Sequence, residues 1–199
     1  MIEEFWTLTE AALRSHGSEA ALKSILPGVI DERDFDKITR LAGAPLPETF
    51  KKFFRTRGGQ KYPMSTHALL HGHVVLSLNG MFRAHDTDLT HYLVLADDPD
   101  EPPAICSPGV RNVLYDPRWI PVAWDAVDGE SFYAIDFHPA PGGVAGQIIR
   151  VLAPDPGTGD EQERVLVAPT FDEWIAIHTV RLRAGSIPFD PELGFRSNR

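Results

Sequence analysis

The spacing of hydrophobic residues changes along this 199-residue chain, from a helical repeat near the N-terminus to strand-like runs after residue 118. Up to residue 58, apolar positions recur every three to four residues, which is the period of a helix with one buried face. The first such stripe ends at Gly17 and consists of Ile2, Phe5, Trp6, Thr9 and Leu13. The pattern predicts a helical N-terminal part over residues 1–58.

Three further helices are predicted in this part of the chain. A short one covers residues 19–25, and Asp31 is a suitable N-cap for the next, which ends at Gly43. Pro47 suits the first turn of the last helix, because its missing N–H would be unpaired there in any case. Gly58 and Gly59 are predicted to end that helix, whose buried face consists of Phe50, Phe53 and Phe54.

Three apolar runs follow, and their aromatic and β-branched residues are typical of strands: residues 119–124, 131–136 and 146–152. Asp128-Gly129 reverses the chain after the first run, and Pro141-Gly142-Gly143 reverses it after the second. The result is a predicted three-stranded meander whose apolar face needs helices to cover it. A return strand at 164–168 and a helix at about 170–183 complete this part.

These elements predict an α+β fold, with a mixed, largely antiparallel sheet flanked by N-terminal helices and a C-terminal helix. We expect one domain over residues 1–183, with the sheet and the closing helix in residues 69–183, since two full domains would be cramped in this length. Residues 184–199 lack periodicity and are predicted to be a tail that docks through its apolar side chains, Ile187, Phe189 and Phe195.

The formal net charge of −9 favours basic partners and repels phosphate backbones and acidic membranes. Nucleic-acid binding is therefore disfavoured, since it depends on Lys and Arg contacts with phosphates. The alternative is that the charge serves solubility alone. No apolar run approaches the roughly 20 residues that span a bilayer. An acidic N-terminus and a single cysteine, Cys106, favour a cytoplasmic protein without disulfides.

Several residue types that can carry chemistry occur without the spacing that such chemistry requires. Histidines concentrate in one stretch but form no zinc-binding motif: His67, His71, His73, His85 and His91. No serine lies in a nucleophile elbow, and Cys106 is interpreted as incidental. The glycines at 142–146 lie between strands, where they cannot form a dinucleotide loop. The sequence therefore predicts no catalytic, cofactor-binding or metal-binding residue and no enzyme.

Carboxylates and aromatic residues of the meander leave two interpretations open. Asp125, Asp128 and Glu130 belong to a turn, where such residues are common, and Asp136 is expected to orient the next loop. The aromatic residues alternate along strands, so that some face away from a one-sided core: Trp119, Trp124, Phe132, Tyr133 and Phe137. Either they are interface anchors, or a loop or the C-terminal tail covers them.

The ordered motifs of this chain resemble the SUKH superfamily in its Smi/Knr-type branch. The core of the resemblance is Trp-Ile-Pro-Val-Ala, an acidic glycine turn, Phe-Tyr-Ala-Ile-Asp and Pro-Ala-Pro-Gly-Gly-Val-Ala-Gly-Gln-Ile-Ile, all after residue 118. Residues 46–59 resemble the family's Leu-Pro and short-helix element. Residues 167–175 resemble its closing strand and helix, so that the likeness extends over residues 30–183.

This resemblance implies a binding module with a concave surface that recognises another protein. Bacterial members are similar to immunity proteins, and the expected partner is a basic toxin domain that this acidic chain neutralises. The expected contact residues are Trp119, Asp125, Asp128 and Glu130. Two alternatives remain: a small hydrolase that uses the histidines or the meander carboxylates, and a regulatory scaffold like the fungal relatives linked to cell-wall synthesis. The oligomeric state stays open.

Overall fold

The computed structural model describes residues 1–29, 31–61, 67–70, 72–88, 105–125, 131–152 and 162–196. Asp128 and Glu130, His71 and His91, and the acidic stretch 97–101 lie outside these residues. The described helices are α1 (Ile2–Ser15), α2 (Glu19–Ser24), α3 (Glu32–Ala42), α4 (Glu48–Thr56), α5 (Leu78–Arg83), a π-helical turn (Ala84–Asp88) and α6 (Phe171–Arg183). None of these described helices has both the length and the apolar character of a membrane span.

Polar side chains cap the starts of three helices, and a glycine ends one of them. Asp31 accepts a hydrogen bond from the backbone N–H of Arg33 at 3.0 Å, as expected of an N-cap. Ser77 and Thr170 cap α5 and α6 in the same way. Gly43 ends α3 in the left-handed conformation, at φ 64°. Local polar chemistry therefore sets these boundaries, and the predictions for α3 and α6 are confirmed.

The strands are β1 (Ile25–Pro27), β2 (Arg57–Gln60), β3 (His73–Val75), β4 (Ile105–Cys106), β5 (Trp119–Asp125), β6 (Ser131–Asp136), β7 (Gln147–Leu152), β8 (Glu163–Ala168), β9 (Phe189–Asp190) and β10 (Gly194–Phe195). Six of them form one sheet in the order β3-β5-β6-β7-β8-β4. All neighbours in it are antiparallel except β4 and β8. The predicted α+β fold with a mixed, largely antiparallel sheet is confirmed.

Register and connectivity give the large sheet two different ends. At the first, the hairpin end, the strands stop or start at Asp125, Ser131, Leu152 and Glu163. At the second, the glycine end, residues 137–146 join β6 to β7. Because β4 runs parallel to β8, with Ile105 opposite Glu163, the chain also enters β4 at the hairpin end.

Helices cover the inner face of the large sheet and build the main core. Aromatic rings of α1, α4 and α6 meet there, with ring centroids 4.8–5.9 Å apart. The sheet contributes apolar residues that are entirely buried, among them Ile120, Ile135 and Ile148. The predicted face of phenylalanines on α4 lies in this core.

A second apolar cluster covers the outer face of the sheet. The chain between β4 and β5, residues 107–118, crosses this face and packs Val110, Val113 and Tyr115 on it. The sheet residues beneath are Trp119, Phe132, Ala134, Ile149 and Val151. This covering segment settles the open choice for Trp119 and Phe132, because a loop buries both.

Some elements were not predicted. Gly58 and Gly59 do not end α4 but form β2, which pairs with β1 in a two-stranded ribbon. A Cβ at Gly58 would lie 2.4 Å from the carbonyl oxygen of Pro27, so only glycine allows this approach. The residues after α6 form the β9–β10 hairpin, and its last residue, Phe195, is buried in the main core.

Backbone contact between two glycines joins the covering segment to the glycine end. A Cβ at Gly143 would lie only 2.1 Å from the carbonyl oxygen of Gly109. The side-chain amide of Gln147 donates to that same oxygen at 2.9 Å, and the backbone N–H of Ala140 donates to it at 3.1 Å. The two loops therefore approach so closely that there is no room for a side chain at residue 143.

Replacement of this glycine should loosen the cover of the outer face. We expect Gly143→Ala to lower the free energy of unfolding by about 2–4 kcal/mol, because the methyl group must displace rigid backbone. Gly142→Ala is the matched control: it has open space around the Cβ but a φ of 91°, so about 1 kcal/mol is expected. Urea unfolding of both variants tests this. Equal losses would contradict the steric explanation.

Candidate functional site

A chain of polar contacts links three strands at the hairpin end. His73 and Asp125 are paired residues of β3 and β5, and both reach Ser131 at the start of β6. Nε2 of His73 lies 2.8 Å from Oγ of Ser131, and this hydroxyl donates to the carboxylate of Asp125 at 3.3 Å. His73 and Ser131 are buried, so these contacts replace hydrogen bonds to water.

The order of these contacts differs from that of a catalytic triad. A nucleophilic serine gives its proton to a histidine, which a carboxylate orients from its other side. Here the hydroxyl lies between the histidine and the carboxylate, so these contacts do not follow the order serine, histidine, carboxylate. A groove of about 400 Å³ lies elsewhere, between α3 and α5, and is lined by none of these three residues.

The two tryptophans of β5 have different environments. The side chain of Trp119 is 0% exposed, so it cannot touch a partner in this conformation, contrary to the prediction that it is a contact residue. Trp124 lies at the hairpin end, is half-buried, and stacks on Phe132 with ring centroids 5.1 Å apart. The sequence did not reveal the burial of Trp119, because alternation alone does not show which outward residue a loop covers.

Asp136 organises the glycine end, as predicted. Its carboxylate accepts from the backbone N–H of His138 at 2.8 Å and from the amide of Gln147 at 2.9 Å. Burial raises the pKa of Asp136, and the nearby Asp116 raises it further, although these hydrogen bonds and the adjacent indole of Trp119 lower it. The carboxylate orients the loop and is 0% exposed, so it is not presented to a substrate.

A polar cluster beside Asp136 was missed in the sequence. Oδ2 of Asp116 lies 2.7 Å from Nδ1 of His138 and accepts from the guanidinium of Arg111. Its other oxygen accepts from the backbone N–H of Arg118 at 2.9 Å, just before β5 begins. An Asp–His pair also occurs in hydrolases, but no described hydroxyl or thiol hydrogen-bonds to His138. The nearest sequence signal was the Asp-Pro-Arg turn before Trp119.

The remaining candidates for chemistry lie apart from one another. His85 contacts the carbonyl of Pro117 at 2.7 Å, whereas His73 lies at the hairpin end. Within the described ranges, no three His, Cys, Asp or Glu side chains converge as a metal ion would require. Burial raises the pKa of the Cys106 thiol, although the nearby Arg164 opposes this, so the thiol is less ionised than usual.

Negative charge is concentrated in the part of the chain that builds the sheet. Residues 1–61 carry nine Asp and Glu against ten Lys and Arg, while residues 62–199 carry nineteen against nine. Both described carboxylates of the hairpin end, Asp125 and Glu163, are partly exposed. Two cationic side chains lie near these carboxylates. Arg164 is fully buried, and Arg150 forms an ion pair with Glu163.

The raised pKa of Asp136 predicts a specific pH dependence of stability. Below the ordinary pKa of 3.8, this carboxyl is neutral in both states; as pH rises through its folded pKa, the buried charge destabilises the fold. Asp136→Asn cannot ionise, so the stability of the wild type relative to this variant should fall between pH 4 and pH 7. Urea unfolding across that range measures it.

Asp190 provides a control in which the stability is expected to change with pH in the opposite direction. Backbone N–H groups of Glu192 and Leu193 lower the pKa of this exposed carboxyl. The stability of the wild type relative to Asp190→Asn should therefore rise with pH over the range where Asp190 ionises. If the difference for Asp136→Asn does not change with pH, the assignment of a raised pKa to Asp136 is wrong.

The polar contacts of Ser131 predict a structural effect. Ser131→Ala leaves the buried His73 ring without this partner, so we expect a loss of about 1–3 kcal/mol in the free energy of unfolding. Ser186→Ala removes an exposed hydrogen bond to the carbonyl of Arg181 and should cost under about 0.5 kcal/mol. Urea unfolding at pH 7 compares the two. A Ser131→Ala protein as stable as the wild type would refute the structural role.

Comparison with known proteins assigns most of this chain to a family. No curated protein sequence matches it. A family match covers residues 29–177, from just before α3 to within α6, and therefore includes the large sheet and its covering segment. The chain belongs to the SMI1 / KNR4 family (SUKH-1).

Proposed function

We propose that this protein is a non-enzymatic binding module of the immunity type, which binds a cognate basic toxin and neutralises it. The observation that carries the proposal is the connectivity of the sheet: several described strands begin or end at the hairpin end, next to acidic stretches of the sequence. Members of this family act through protein–protein interactions, which agrees with such a role.

Connectivity supports the hairpin end as the contact surface. The chain leaves and rejoins the described part there at Asp125 and Ser131, and again at Leu152 and Gln162. The sequence between these points contains Asp128 and Glu130 in the first connection and three carboxylates in the second, Asp155, Asp160 and Glu161. The acidic stretch 97–101 precedes β4, which also begins at this end.

A surface of this charge fits a cationic partner. Like charges at one end of a protein produce a field that attracts an oppositely charged molecule, and complementary charge speeds association. Trp124 adds a partly exposed indole beside Asp125, which suits a lysine or arginine through a cation–π contact. The proposed contact residues are therefore Asp125, Asp128 and Glu130, with Trp124 in place of Trp119.

The geometry of the described polar groups supports binding without catalysis. The contacts of Ser131 run in the wrong order for an activated nucleophile. Asp136 is buried beneath the loop that it orients, and it lies five residues from Ser131 along β6, a separation of about 16 Å. The meander carboxylates therefore do not form a pair around one reacting bond.

Charge reversal at the hairpin end tests the proposal. The probe is a basic toxin domain chosen from the products of the genes that neighbour this one, used in co-expression rescue and in a binding titration with the purified protein. Asp128→Lys with Glu130→Lys should lower affinity at least tenfold at low salt and abolish rescue. The difference should shrink in about 0.5 M salt, where exposed charges are screened.

A control variant separates local charge from total charge. Glu19→Lys with Asp36→Lys changes the net charge equally on exposed helical positions, and it should bind and rescue like the wild type. Equal losses in both variants would show that only the total charge matters. Failure of the wild type to bind and to rescue would refute the immunity role and favour the regulatory scaffold, which the family also allows.

A further inference from the structure

The outward face of α6 carries apolar residues where a surface helix normally carries polar ones. Ile177 is 45% exposed and Val180 is 57% exposed. With Glu173 and Ala184 they follow the spacing of four, three and four residues that places side chains in one stripe. The opposite face of the helix packs in the core through residues such as Trp174 and Ile175.

A helix that is apolar on two faces usually has two packing partners. The core supplies the first partner of α6, and α1 packs along one flank, where Arg183 forms an ion pair with Glu4. Neither contact reaches the stripe, since its two branched side chains remain about half exposed. An exposed apolar stripe of this kind favours a further helix as its second partner.

Charges at the two ends of α6 identify which helix would fit. Asp172 and Glu173 lie in the first turn, whereas Arg181 and Arg183 lie in the last. Such a helix is complementary to itself when two copies run in opposite directions, because the acidic end of each meets the basic end of the other. A parallel pair would instead bring like charges together.

We propose that α6 pairs with α6 of a second copy of this chain, antiparallel, about a two-fold axis between Ile177 and Val180. Ile177 of each copy then packs against Val180 of the other. Glu173 lies over Ala184 of the second copy, where the small side chain leaves room for Arg181 to approach the carboxylate. This pairing is independent of the proposed toxin binding.

The size of the surface makes the pair weak. A helix of thirteen residues is about 20 Å long, so one face buries much less than the roughly 800 Å² per partner of a standard interface. We therefore expect a monomer of 22.1 kDa in dilute solution and a growing dimer fraction at high micromolar concentration. The hairpin ends stay free, because α6 lies on the helical layer of the fold.

Sedimentation velocity of the full chain between about 10 μM and 1 mM tests the pairing. The weight-average mass of the wild type should rise with concentration, and Val180→Lys should raise the dimer dissociation constant at least tenfold. Leu166→Lys is the matched control, because Leu166 is an exposed apolar residue of β8 that should not affect the pair. Circular dichroism of each variant verifies that it is folded.

A charge exchange tests the antiparallel orientation. Glu173→Arg should weaken the dimer by placing like charges together, and adding Arg181→Glu should restore it. A wild type that stays monomeric up to 1 mM would overturn the proposal. So would a dimer that Val180→Lys leaves unchanged, or one that Leu166→Lys weakens as much. Lack of restoration in the double variant would refute the two-fold antiparallel arrangement.

Discussion

The close contact between Gly109 and Gly143 is the constraint on which the outer half of this structure depends. It brings the covering segment against the loop between β6 and β7, closer than any residue with a Cβ would allow. The side-chain amide of Gln147 stabilises the contact, because it donates hydrogen bonds to the carbonyl oxygen of Gly109 and to the carboxylate of Asp136. The covering segment held in this way shields the apolar outer face of the sheet from water, including Trp119 and Phe132.

Buried charges in this protein stabilise connections between segments. Arg164 is fully buried and donates to the carbonyl oxygens of Val113 and Leu114, at 3.2 and 2.6 Å, which fixes the covering segment on β8. Asp116 accepts hydrogen bonds from the guanidinium of Arg111, before the turn that precedes β5, and from the backbone N–H of Arg118, after it. A buried ionic group without partners would be strongly destabilising, so each one specifies the path of the chain around it.

The helices and the meander could be predicted because their signals are local. A capping side chain such as Asp31 and a left-handed glycine such as Gly43 act within one turn, and strand alternation acts within a few residues. The β1–β2 ribbon could not be predicted, because the need for Gly58 arises from Pro27, thirty-one residues earlier. Strand β4 is too short to carry an alternation pattern, and only its parallel pairing with β8 defines it.

The same difference between local signals and contacts of distant residues explains which parts of the candidate site could be predicted. The role of Asp136 was predicted because its partners, His138 and Gln147, follow it closely along the chain. The burial of Trp119 could not be predicted, because it depends on a covering segment whose path is fixed by distant residues. Residue type identified the acidic turn after Asp125, whereas topology was needed to see that two other acidic segments attach to the same end.

A sheet covered on both faces limits how this protein can recognise a partner. The two layers bury most of the large aromatic residues that usually anchor interfaces, and they leave the strand ends and the outside of α6 exposed. At the hairpin end the described carboxylates, Asp125 and Glu163, are partly exposed, and the interactions of such charges depend on salt. On α6 the exposed side chains of Ile177 and Val180 are apolar, and they interact only with atoms that they touch. The two proposed surfaces, one charged and one apolar, therefore belong to different elements of the fold and can be altered independently.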